Sequence, residues 1–197
     1  MSETIASLAS EMKGCSACRM RSGCLQVVPP VGQYDRPILL VFGEAPGEAE
    51  NEQGEPFVGR AGQCIREAFR GTKVINRTNT LIANVMNCRP PGNKFPTDDC
   101  PKICVSKWLW KTIELATPQR ILLLGGTPLK FVAGMDGITT KRGQWYDIKG
   151  IRTMATYHPS YILRCDQDDR MRFKRDEFEG DIREMAGEVA KLQEARP

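Results

Sequence analysis

The chain has 197 residues, 41% of them hydrophobic, and its 28 basic and 24 acidic residues leave a net charge of +4. This excludes a disordered chain and suits one domain, residues 1–197, with its own core. No run approaches the ~18–20 apolar residues of a membrane span, so no membrane partner is expected, and the mild positive charge is compatible with a polyanionic one.

The opening Met1-Ser2-Glu3-Thr4 lacks the basic start and apolar stretch of a signal peptide. A cytoplasmic, nucleoid-associated protein is therefore expected, acting as a monomer. Eight cysteines are many for such a compartment, where a reducing environment disfavours disulfides. Cys15-x-x-Cys18 has the spacing of a chelating pair, and Cys88, Cys100 and Cys104 form a second group. Two such groups can close a site for zinc or for an iron–sulfur cluster, and spacing does not choose between them. It also leaves Cys24 and Cys100 as rival ligands. Cys64 and Cys165 have no paired neighbour and read as ordinary packing residues.

Four short apolar runs read as buried strands: Ile38–Phe42, Thr80–Val85, Arg120–Leu124 and Thr153–Thr156. Helical patterns fill the gaps, so the expectation is a mainly parallel four-stranded sheet with helices on both faces. After the first strand, Gly54–Gly62 is glycine-rich but has Arg60 and Ala61 where a phosphate loop needs Lys and Ser or Thr. It reads instead as a shaped loop carrying Phe57, followed by a helix from about Ala61 to Phe69. Thr97, Asp98 and Asp99 can cap a helix running to about Ala116. Phe178, Ile182, Met185, Val189 and Leu192 form the apolar stripe of a C-terminal helix within residues 168–197, expected to dock on the domain.

Three of the four strands lead into polar groups. The first runs into Gly43-Glu44-Ala45-Pro46-Gly47, the second ends at Asn84, and the fourth runs into Tyr157-His158-Pro159-Ser160. Ligands of open parallel sheets bind beyond the carboxyl ends of the strands, so Glu44, Asn84 and His158 can share one crevice.

Together these segments resemble family 4 uracil-DNA glycosylases. Gly43–Glu50 with Pro56–Gly62 is similar to that family's first motif, Asn84–Pro91 to its second block, and Thr156–Ser160 to its last. The motifs span residues 15 to about 164, and their joint, ordered occurrence is specific where any one alone is weak. The resemblance implies a three-layer α/β/α sandwich that flips uracil out of DNA and hydrolyses its N-glycosidic bond. It implies a [4Fe–4S] cluster on Cys15, Cys18, Cys88 and Cys104. It makes Glu44 and His158 catalytic, and puts Ala45, Pro46, Glu50, Phe57 and Asn84 with them around the uracil. Uracil-containing DNA, single- or double-stranded, is the implied partner.

Arg60, Arg89, Lys94, Ser160, Tyr161, Ile162, Leu163 and Arg164 are candidate DNA contacts, and Arg142 a further candidate for phosphate. The apolar members after His158 are candidates to wedge into the gap left by the flipped base. Asn87 stands where the family commonly has Lys, and Gly92-Asn93-Lys94-Phe95 departs from its usual pattern. Three other readings stay open: a non-catalytic DNA-binding accessory protein, a glycosylase for another damaged or modified base, and a small zinc-site protein with no catalysis.

Overall fold

The near-unbroken apolar runs form the middle of the sheet. Leu39–Gly43 is buried at every position, as a strand covered on both faces requires. The computed structural model describes residues 3–196. In chain order its elements are α1 (Ile5–Lys13), β1 (Val31–Gly32), β2 (Leu39–Gly43), α2 (Glu48–Gln53), α3 (Arg60–Thr72), β3 (Thr80–Asn84), α4 (Cys100–Cys104), α5 (Trp110–Ala116), β4 (Arg120–Leu124), α6 (Gly126–Ala133), α7 (Ile138–Lys141), β5 (Trp145–Ile148), β6 (Ile151–Thr156), α8 (Pro159–Cys165) and α9 (Phe173–Glu194).

The sheet has six strands among the described residues, in the order β1-β3-β2-β4-β6-β5, where the sequence led us to expect four. The expected four are the central, parallel ones. The two additions are antiparallel edges. β1 is only two residues long and follows Pro29-Pro30, which cannot donate to a ladder. β5 turns into β6 through Lys149 and Gly150, both at positive φ, the backbone of a tight hairpin.

Alternating strand residues feed two cores, one on each face. Leu40, Phe42, Leu81, Ala83, Ile121 and Leu123 meet α1, α5 and α6. Leu39, Val41, Leu122, Leu124 and Met154 meet α3, α8 and α9. The result is the three-layer α/β/α arrangement. α4 and α5 are joined by a π turn, Val105–Leu109, so the helix expected to end near Ala116 runs through one widened turn. Of the C-terminal stripe, Phe178, Ile182, Met185 and Val189 are buried against α3, α8 and β6, and Leu192 is half-buried. No helix among the described residues is long and apolar enough to cross a membrane.

Candidate active site and cysteine cavity

Parallel strands carry their loops to one end of the sheet. There Glu44, Ala45, Pro46, Glu50, Phe57, Asn84 and His158 line one open crevice of about 720 Å³, with Arg60 and Ser160 on its wall. Two of these groups need the absence of a side chain at Gly43. A Cβ on Gly43 would lie 2.4 Å from the Phe57 ring and 2.5 Å from Asn84 Oδ1, so both groups reach the crevice over bare backbone.

Phe57 is held in a costly backbone conformation, φ +58°, of a kind worth about 1–3 kcal/mol of strain. Two neighbours fix it. The Arg66 guanidinium donates to the Phe57 carbonyl at 2.6 Å. Gly62 passes so close that a Cβ there would lie 1.7 Å from that same oxygen. The Phe57 ring stands 6.4 Å from the His158 ring, centre to centre. Glu50 is buried, with one carboxyl oxygen accepting from Gly47 N at 3.0 Å and the other from Gly59 N at 2.7 Å. It closes the loop around Phe57 and shapes the crevice, with both oxygens already engaged. Asn84, also buried, has no hydrogen-bond partner for its side-chain amide among the described residues. Donor and acceptor are both left for a ligand.

His158 caps α8. Its Nδ1 accepts from the Ser160 backbone N–H at 3.2 Å and lies 2.8 Å from Ser160 Oγ. A backbone amide can only donate, so Nδ1 carries no proton and the neutral ring carries its proton on Nε2. Burial, with the Arg164 charge adding to it, lowers the ring's pKa from 6.5 to about 4. His158 is the chain's only histidine, so its proton NMR titration is unambiguous. We expect a midpoint of about 4 in the folded protein. The unfolded chain takes up this proton near 6.5, so His158 favours the folded state above that pH and the benefit is lost as pH falls toward 4. A midpoint near 6.5 would contradict the buried, neutral ring.

The remaining parallel strand, β4, also contributes. Thr127, in the first turn of α6, donates from Oγ1 to Glu44 Oε2 at 2.5 Å. The rule that picked out Glu44, Asn84 and His158 would have found it.

Two expectations need correction. Ile162 cannot be a wedge, because α8 begins directly after His158 and its helical phase turns Ile162 fully into the core. Tyr161 and Leu163 are half-buried on the same helix, with Tyr161 packed on Tyr157 at 5.1 Å between rings, and Arg164 is exposed. Arg142 is not free for a phosphate. Its Nε donates to buried Asp181 at 2.7 Å and its Nη2 to the Glu177 carbonyl at 3.0 Å, tying α9 to the end of α7. Of the remaining cations, Arg60 and Lys94 are exposed, and Arg89 bonds Glu48 at 3.2 Å and Asn93 at 2.8 Å.

On the face covered by α1 and α5, Cys15, Cys18, Cys88 and Cys104 line a second, small cavity with Met20, Met86, Ile103 and Trp108. Cys24 and Cys100 are buried and do not line it, but each touches a thiol that does, Cys24 that of Cys88 and Cys100 that of Cys18. Cys64 lies in the opposite core, and Cys165 is buried on α8. Asn87 donates from Nδ2 to Cys104 Sγ at 3.4 Å, while its Oδ1 is buried without a partner. Residues 87–88 lie in the loop after β3, residue 104 ends α4, and residues 15–18 follow α1, so the cavity joins two distant stretches of chain.

Residues 29–183 match the uracil DNA glycosylase superfamily, a match that runs past Asp166 into α9. The chain is 38% identical over 183 residues to a type-4 uracil-DNA glycosylase of Thermotoga maritima, across 90% of this chain and 93% of that protein. It is 30% identical over 200 residues to one from Archaeoglobus fulgidus, across 97% and 96% of the two chains. A third, from Sulfurisphaera tokodaii, is 32% identical over 170 residues, across 82% and 76%.

Proposed function

The chain belongs to the uracil DNA glycosylase superfamily and, within it, to the type-4 uracil-DNA glycosylases, and from this we propose that it repairs DNA by extruding uracil and hydrolysing its N-glycosidic bond. The observation that carries the reading is the meeting of Glu44, Phe57, Asn84 and His158 in one crevice at the ends of three strands.

Each group has a distinct task. Phe57 stacks on the flipped ring, an interaction worth roughly 1–3 kcal/mol. The Asn84 amide offers one donor to uracil O4 and one acceptor to N3–H. Cytosine presents the opposite pattern there and would leave buried polar groups unpaired. When the bond breaks, the base leaves as an anion and the sugar becomes cationic. His158 donates from Nε2–H to the O2 of that anion, and a neutral ring keeps its proton in place without itself becoming an acid. Glu44 orients the attacking water and faces the sugar cation. Backbone N–H groups near Glu44 and Ala45 can add to the anion's stabilisation. Glu50 shapes the loop near the C5 edge, where thymine carries its methyl group. Arg60, Arg89, Lys94, Ser160, Tyr161, Leu163 and Arg164 are the proposed contacts to the DNA backbone and the gap.

Cys15, Cys18, Cys88 and Cys104 fit the [4Fe–4S] cluster that the family implies. Four thiols around one cavity, rather than scattered singly, with an amide donor on one sulfur, are the donor set such a cluster takes. When bound it supplies a cross-link between the N-terminal segment and the loop after β3. Base hydrolysis needs no electron.

Specificity gives the test. Asn84→Asp cannot donate to O4 and should slow uracil excision, with some gain on cytosine, whose exocyclic amine can donate to the new carboxylate. Excision from matched uracil and cytosine oligonucleotides by wild type and variant measures it. Undiminished uracil excision by the variant would remove Asn84 from recognition.

A further inference from the structure

In the order β3-β2-β4-β6, the chain leaves β2 toward β3 on one side and later places β4 on the other. The ends of β2 and β4 therefore flank the switch point where parallel sheets open a crevice. Glu44 follows β2 and Thr127 follows β4, and their hydrogen bond crosses that gap. The β4 end also abuts His158. Gly125, at φ +99°, donates to the Thr156 carbonyl at 2.8 Å, and a Cβ on it would come within 2.9 Å of His158 Cβ.

We propose that Thr127 is a positioning residue for Glu44. Its hydroxyl has one proton, given to Glu44 Oε2 at 2.5 Å. The other oxygen, Oε1, has no hydrogen-bond partner among the described residues, and Glu44 lines the crevice. A glutamate side chain alone swings about three bonds. With one oxygen anchored to α6, the second has a defined place and so does a water bound to it, which is how orientation accelerates a hydrolysis. Thr127 itself does not line the crevice. The proposal rests on Glu44 being the group that orients the water.

The test is single-turnover excision with three variants. Thr127→Val keeps the shape and removes the proton, and should slow excision by roughly 10- to 100-fold, the scale of one hydrogen bond to a charged group. Thr127→Ser keeps the hydroxyl and should stay within about 3-fold of wild type. Affinity for DNA carrying an uncleavable uracil analogue should be unchanged in both. In a Glu44→Ala background, Thr127→Val should cost nothing further, because there is no carboxylate left to orient. Circular dichroism controls for folding, and Thr127→Ala replaces the valine variant if that one fails to fold, with the same expected loss. Wild-type speed in Thr127→Val, a Thr127→Ser as slow as Thr127→Val, or an equal penalty without Glu44 would each overturn the proposal. A slow Glu44→Ala beside an unaffected Thr127→Val refutes Thr127 alone. A Glu44→Ala at wild-type speed refutes the role of Glu44, and that of Thr127 with it.

Discussion

Glu44→Gln and His158→Ala should each slow single-turnover excision of uracil by roughly 10²–10³-fold, the scale for losing one preset electrostatic partner. The two residues come from different strand ends and face opposite charges of one transition state. Glu44 serves the sugar cation and its water, and His158 the leaving anion. Such groups act on the chemical step more than on affinity. Binding to DNA with an uncleavable uracil analogue should therefore change far less than the rate. Neither side chain belongs to the two hydrophobic cores, so both variants should fold. The measurement is single-turnover rate beside binding affinity, with circular dichroism as the folding control. Two folded variants that excise at the wild-type rate would show that the crevice is not the active site.

Cys88→Ala should lose iron, sulfide and colour together, and the melting temperature should fall by about 10 °C or more, since each kcal/mol shifts it by about 2–4 °C at this size. The cause is geometric. Cys88 lies in the loop after β3 and shares its cavity with Cys15 and Cys18, which follow α1. Removing one of four ligands releases a link between stretches of chain far apart in sequence. Cys64→Ala should keep the colour, because Cys64 is in the opposite core. Cys24→Ala and Cys100→Ala should keep it too, because neither side chain lines the cavity. Iron and sulfide analysis of anaerobically prepared protein, with a thermal melt, checks all four. Zinc in place of iron, or full colour in Cys88→Ala, would contradict the assignment.

What could be read from the sequence follows from how each element announces itself. The central strands are covered on both faces and so appear as apolar runs, and the polar residues ending three of them could be placed at one end of a parallel sheet. β5 could not be read this way. Trp145, Tyr146 and Ile148 are half-buried edge residues around an exposed Asp147, without an apolar run. The π turn beside Cys104 has no composition that separates it from ordinary helix. Thr127 escaped because Gly125-Gly126-Thr127-Pro128 holds no charge and reads as a turn, whereas its value lies in a partner 83 residues away in the chain. Ile162 looks like a wedge in the sequence until the helix is carried back to Pro159, because the phase of α8 decides which side chain faces the core. Arg142 looks free in the sequence but finds Asp181, contributed by the C-terminal helix.

The most direct test is excision by the wild-type protein. Oligonucleotides bearing one uracil, single-stranded and paired with guanine or adenine, are incubated with anaerobically prepared protein and then treated with alkali. The account predicts free uracil in solution and strand scission at the uracil position alone, with no scission of the matched cytosine or thymine strands. Protein that binds these oligonucleotides yet releases no base would contradict it and leave an accessory DNA-binding role, and release of a different base with uracil untouched would contradict the assignment of Asn84 and Phe57.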